Sequence, residues 1–207
     1  MYRRLAEAAE RIRALTSDGG PADNRRIEEA RRRIASAIGF VGLLADQERL
    51  LALRDAEEAL VGRLGHDPAP RLLAGAVGLA SKFRPSVSCG LLIGGAVAAS
   101  DGWEESFRAW HAGPGLAARR CPLLAVGGPR DSVRVDRIAS AQSWPEWRAA
   151  GLAHGRRSAM ALALPGGRGA LLFYSRTPGF TDGEIEAARR IARLAARILQ
   201  HAPSAGP

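Results

Sequence analysis

At 207 residues and 46% hydrophobic content, the chain has apolar mass for one good core plus an extension, which excludes wholesale disorder. Two cysteines, Cys89 and Cys121, are too few for a disulfide scaffold and lack CxxC spacing for zinc, and the most apolar run, residues 87–99, is glycine-broken and too short to span a bilayer. The net charge of +9 is carried almost wholly by arginine and clusters in residues 108–176, where 11 arginines face only Asp131, Asp136 and Glu146. Such clustering suits an anionic ligand or partner, or else forms a solvated arginine-rich surface.

Residues 2–15 read as a short amphipathic helix without the apolar core or cleavage site of a secretory signal, so a cytoplasmic protein is expected. Residues 16–23 break that helix, and Asp23 or Asn24 can cap the next. Ile27, Ile34 and Val41 recur every seven residues with Ala30, Ala37 or Ile38, and Leu44 between them, an a/d seam of about three heptads. The pattern resumes out of phase at Leu50, Leu53, Ala56, Leu60 and Leu64, which predicts a kink near Asp46 or a helical hairpin. Exposed alone, the seam would be an unburied stripe, to be covered by a second copy of the chain or by its own domain. Residues 1–66 are therefore expected to be an N-terminal helical dimerisation segment.

The turn-rich residues 65–70 mark the boundary to a second domain, 67–200. It begins with an apolar helix from Leu72 to Phe83 that stops ahead of Pro85. Strand signals follow in residues 87–93 and 96–99 around Gly94-Gly95. Residues 103–111 form a short helix carrying Phe107 and Trp110, and residues 113–128 are irregular. A strand over 132–136, a helix capped by Ser143 with Pro145 near its start, and strands 157–164 and 169–174 around Gly166-Gly167 complete the sheet. The last strand is apolar on both faces, which marks it as central and covered on both sides. Thr181 and Glu184 form a capping box for the closing helix, with Ile185, Ala188, Ile191, Ala192, Ala195, Ile198 and Leu199 on one stripe. Residues 201–207 read as a disordered tail. Hairpin-linked strands with segregated helices give an α+β class and an antiparallel sheet.

The motifs A-V-A-A-S-D (96–101), G-P-G (113–115), V-R-V-D-R-I (133–138), S-W-P-E-W (143–147), G-R-R-S-A-M-A-L-A-L (155–164) and G-A-L-L-F-Y-S-R-T-P-G-F-T-D (169–182) carry a resemblance. In this order and spacing, residues 68–200 resemble a GAF domain, most of all those of actinobacterial GAF-ANTAR regulators. The resemblance implies a six-stranded antiparallel sheet with helices on both faces. It implies a pocket between the sheet and residues 103–136, dimerisation through terminal helices, and a sensory or regulatory role. The RNA-binding ANTAR module that follows such domains has no counterpart in residues 201–207. The Asn-Lys-Phe-Asp-Glu set of cyclic-nucleotide GAF domains has none either, because the sole Asn and Lys are Asn24 and Lys82.

A small-molecule site would be aromatic with a few polar anchors. The expected lining is Phe107, Trp110, His111, Asp136, Trp144, Trp147 and Tyr174, with Arg134 or Arg157 as anion contacts. Packing of the helix on the sheet is the competing role for Trp144 and Trp147. Haem-binding GAF domains suggest His111 or His154 as an axial ligand among Trp103, Phe107, Trp110 and Met160, against the commoner helix-end histidine. No catalytic residues and no metal site are expected, and the cofactor is left unknown. The protein is expected to be a non-enzymatic, cytoplasmic homodimer that binds a small molecule or a regulatory protein partner, with neither nucleic acid nor membrane. A ligand-free interaction module is the first alternative. Others are a sulfoxide reductase using Cys89 and Cys121, and a nucleic-acid-binding regulator using the arginines.

Overall fold

A computed structural model describes residues 21–112, 121–126, 131–167 and 169–201, with the side chains of 21–24, 26, 41 and 125 left aside. The expected helix 2–15, the G-P-G loop and residues 202–207 of the expected tail fall outside this set. From Pro21 to Val61 the chain is one helix, α1. It begins ahead of the expected caps Asp23 and Asn24, and no hairpin interrupts it. Helical propensity carries through Gly39 and Gly42, each costing about 1 kcal/mol relative to alanine, because neither is joined by a proline or a turn cluster. Two compact units, Met1–Glu48 and Arg49–Pro207, divide the chain within this helix.

In the second unit, α1 gives way to a turn at residues 62–68, and α2 spans Ala69–Phe83. Pro70 sits in its first turn, where a missing N–H costs nothing, and Arg84 ends it in extended backbone ahead of Pro85. The strands are β1 (Val87–Ile93), β2 (Ala96–Asp101), β3 (Ser132–Val135), β4 (Ser158–Ala163) and β5 (Ala170–Ser175). Between them lie α3 (Glu105–Ala112), 3-10 turns at Pro122–Ala125 and Ile138–Ser140, and α4 (Pro145–Ala153). Trp144 rather than Ser143 is the residue ahead of α4, and its side chain makes no capping hydrogen bond. Pro145 sets this start by its fixed φ and by keeping its predecessor, Trp144, out of helical backbone. Helix α5 spans Asp182–His201, so His201, expected in the tail, is still helical.

The sheet order is β2-β1-β5-β4-β3 and every pairing is antiparallel. Five strands are present among the described residues where six were expected. Between β2 and β3 the described residues include α3 and the 3-10 turn opened by Pro122, and proline cannot donate to a strand ladder. β5 is central and buried from Leu171 to Ser175, as its two-sided apolar sequence requires.

Alternation along the strands sorts the side chains into two cores. Cys89, Leu91, Met160, Leu162, Leu171 and Phe173 pack with α2 and α5, and Leu53 of α1 joins them. Leu92, Ala159, Ala161, Leu172 and Tyr174 point the other way, toward Phe107, Ile138 and Trp147. The sheet is therefore covered on both faces. Among the described residues no helix is long and apolar enough to cross a membrane.

The capping box is realised at α5. Thr181 N–H donates to Glu184 Oε2 at 2.7 Å, and Glu184 N–H donates to Thr181 Oγ1 at 3.2 Å. Glu184 is buried, and its Oε1 is ion-paired with Arg84 Nη1 at 2.8 Å, which joins the end of α2 to the start of α5. Thr181→Ala should lower stability by about 1 kcal/mol, read as a shift in the urea midpoint. An unchanged midpoint would show that Glu184 alone holds the cap.

Candidate functional site

The face of the sheet opposite α2 and α5 carries the candidate site. Phe107 and His111 lie four residues apart on α3, Trp147 projects from α4, and Tyr174 rises from β5. Each is at most 1% exposed. His111 Nδ1 lies 2.9 Å from the Phe107 carbonyl. A carbonyl only accepts, so Nδ1 carries the proton and Nε2 of the neutral ring is an acceptor. Tyr174 O–H therefore donates to His111 Nε2, 2.8 Å away, and Trp147 Nε1–H donates to the same Tyr174 oxygen at 3.0 Å. The three polar groups satisfy one another in a dry setting, where each left alone would be costly.

Burial sets the protonation states. It holds His111 down to about 4, with the positive charge of Arg156 adding to the effect and the Phe107 carbonyl opposing it. It pushes the Tyr174 phenol well above its usual value. The network is thus neutral throughout.

Around it the rings close in. Phe107 stands edge-on to Tyr174 at 5.0 Å and to Trp103 at 5.2 Å, and Trp103 lies 4.6 Å from His111. The Trp103 ring rests against the backbone of β1 at Gly90, where a Cβ would overlap the indole. That close approach explains a glycine in the middle of a buried strand.

The polar element of this face is Arg156, 1% exposed, in the connection from α4 to β4. Its Nη2 donates to the Gly102 carbonyl and to Glu104 Oε2, each at 2.8 Å. Its guanidinium carbon sits 5.3 Å from the centre of the Phe107 ring. Burial works against the arginine's charge while Glu104 supports it. His154 Nδ1 lies 3.6 Å from the same Glu104 oxygen.

Of the nine expected site residues, Phe107, His111, Trp147 and Tyr174 come together in this network. Trp110 and Trp144 are half-buried and pack against the same core. Arg134 and Asp136 sit apart on β3 and just after it, exposed and ion-paired with each other at 3.0 Å. Asp136 also accepts Gly179 N–H through its carbonyl, which ties down the loop after β5. Arg157 is exposed, and its backbone N–H donates to Ser175. Sequence reasoning missed Arg156, Glu104 and the Trp103–Gly90 contact. The signal for the last was present, a glycine inside an apolar strand.

Neither haem ligation by His111 nor cysteine chemistry fits these residues. Both nitrogens of His111 are engaged, and Met160 points into the opposite core. Cys89 and Cys121 are buried in different cores on opposite faces of the sheet. Burial raises the Cys121 thiol to about 12 and the Cys89 thiol well above its usual value, which disfavours the thiolate that redox exchange needs. A cleft of about 570 Å³ on the α2–α5 side, bounded by residues 64–70, Leu72, Ile198 and His201, contains none of the expected site residues.

No protein-family model and no curated protein matches the sequence. Solved structures do match. The phycoerythrobilin-bound GAF domain of a cyanobacterial phytochrome aligns with TM-score 0.55 and 10% identity over 72% of this chain and 95% of that one. The GAF domain of a phosphoenolpyruvate-protein phosphotransferase from Coxiella burnetii aligns with TM-score 0.54 and 14% identity, over 76% and 95%. The fold is that of a GAF domain. A domain of a putative two-component sensor histidine kinase from Sinorhizobium meliloti 1021 also aligns, with TM-score 0.51 and 18% identity over 65% and 92%. At these identities the likeness establishes the GAF fold.

The buried network makes stability depend on pH. Because the folded His111 titrates near 4 and the unfolded one near its ordinary 6.5, the unfolded state alone takes a proton between those values. Full stability is present above pH 6.5 and is lost as pH falls toward 4. By pH 5 the loss should reach about 2 kcal/mol. Urea titrations at pH 7.5 and pH 5 should show it in the wild type, and His111→Gln should remove that part of the slope. Equal slopes would mean His111 is protonated in the folded state. Tyr174→Phe should cost about 2–3 kcal/mol, since it strands both the imidazole and the indole N–H.

Proposed function

We propose that this chain is a sensory or regulatory GAF domain that works as a non-enzymatic, cytoplasmic homodimer. Its motif order links it to the GAF domains of actinobacterial GAF-ANTAR regulators. The comparison structures support a regulatory setting: they include a sensor histidine kinase domain and a phytochrome GAF domain with a bound bilin. The two mutually remote, buried cysteines support a role without cysteine catalysis.

The exposed apolar side chains of α1 carry the reading. Ile38, Phe40, Leu43, Leu44 and Leu51 are between 45% and 67% exposed. Polar surroundings reinforce the helix itself, with Arg31 paired to Glu28 and Arg33 to Glu29 one turn apart. Of the exposed apolar side chains, Leu44 lies on the heptad seam of Ile27, Ala30, Ile34 and Ala37, and that spacing suits a helix as the partner. A second copy of α1 supplies the same spacing, so the pairing is self-complementary. In this reading the Phe107–Tyr174 face is the input and α1 the output.

The core of the input face is filled by the protein's own side chains, which favours a resting state in which α3 is closed over the sheet. The interaction-module alternative shares this geometry and differs in having no ligand.

Light scattering during size-exclusion chromatography should give twice the chain mass. Ile34→Glu combined with Leu44→Glu should give a folded monomer with an unchanged far-ultraviolet spectrum, because neither side chain is buried in the core. A wild-type monomer at micromolar concentration would remove the dimer.

A further inference from the structure

Arg156 is buried to 1% exposure, yet its Nε has no acceptor. A guanidinium offers a rigid fork, and a carboxylate ordinarily fills it with two parallel bonds. Glu104 fills it with one, from Nη2 alone. The two partners also differ in freedom. Glu104 is 47% exposed and precedes α3 by one residue, so its carboxylate has a way out into water, whereas Arg156 has none.

Three residues after Glu104 comes Phe107, whose ring lies 5.3 Å from the guanidinium carbon and inside the cluster of Trp103, His111 and Tyr174. The start of α3 therefore presents a carboxylate to Arg156 and an aromatic ring to the aromatic cluster, a few ångströms apart. That pair of features is also the outline of a small arylalkanoic acid.

We propose that this face is a binding site for a small aromatic carboxylate, in which the ligand's carboxylate replaces Glu104 on Arg156 and its ring replaces Phe107. The inference rests on the sensory reading above and gives its ligand a chemical class. Glu104 and Phe107 act as an internal stand-in that keeps the site dry and closed. The ligand's advantage is the second bond, to Nε, which relieves a buried donor. Its carboxylate selects it over neutral aromatics, because only an anion answers a buried guanidinium. Displacing Phe107 moves α3, and with it His111, away from Tyr174, so occupancy is felt by the indoles of Trp103 and Trp147.

The test uses the full chain with 3-phenylpropionate and its neutral match, 3-phenylpropanamide, followed by tryptophan fluorescence and thermal melting. The acid should bind saturably and raise the melting temperature, and the amide should do neither. Glu104→Gln removes the competing charge while keeping a side chain that can accept from Nη2, so it should bind the acid about tenfold more tightly. Glu104→Ala should melt lower and be restored by the acid alone. Arg156→Gln should abolish the response, and if that variant fails to fold, the comparison of acid with amide on Glu104→Gln still decides. Absence of saturable acid binding to Glu104→Gln at millimolar concentration, or equal binding of the amide, would overturn the proposal. Either result with an intact dimer leaves the regulatory reading in place, and carboxylate binding by a monomer would leave the site and remove the dimer.

Discussion

The hydroxyl of Tyr174 is the point on which one whole face of the protein depends. It accepts from Trp147 of α4 and donates to His111 of α3, so a single oxygen from β5 fixes both helices over the sheet. The direction of each bond follows from the far end of the chain, where His111 Nδ1 meets a carbonyl that cannot donate. Reversing any one bond would leave two donors or two acceptors facing each other in a dry core. Three amphipathic side chains, each awkward to bury, are buried together because their polar tips complete one another.

This arrangement gives α3 two unlike attachments. Its C-terminal end is held by the neutral His111–Tyr174 bond, deep and dry. Its N-terminal end is held by an ion pair that is half in water, Glu104 with Arg156. The eight-residue helix has little hydrogen-bonded length of its own and relies on these contacts and on the burial of Phe107. Fully burying a phenylalanine is worth about 1.5–3 kcal/mol, which is comparable to a good ligand contact. A face built this way is a closed core, and the proposed ligand site requires α3 to lift from it.

Much of the fold was legible because it obeyed simple periods. The two-sided apolar run of β5 marked a central strand, β1 spans the expected residues 87–93, and Thr181 with Glu184 made the expected cap. The site was legible only in part, for reasons of phase. Arg157 was chosen as an anion contact and Arg156 is the buried one; they are adjacent, and a one-residue shift exchanges faces at a strand entrance. Met160 was grouped with Trp103 and Phe107, but alternation along β4 sends it to the other core. Of the two outcomes expected from the phase change, a kink near Asp46 or a helical hairpin, the hairpin does not form, because a phase change in an apolar pattern does not by itself end a helix. The expected sixth strand came from the resemblance rather than from the residues, which signal five.

The sheet decides how far a change at this face can reach. Tyr174 and Phe173 are neighbours on β5, one in each core, and β5 is hydrogen-bonded to β1 and β4 on its two sides. A strand so held does not rotate about its own axis to release one side chain. Through β5, Tyr174 in one core is the chain neighbour of Phe173, which packs with α2 and α5 in the other. Tyr174 itself is inaccessible, at 0% exposure. The proposed ligand enters where a member of the face already meets water, and at the start of α3 that member is Glu104. In the proposed exchange, burial therefore places the first step at the half-exposed Glu104–Arg156 pair, ahead of any displacement of the buried Phe107.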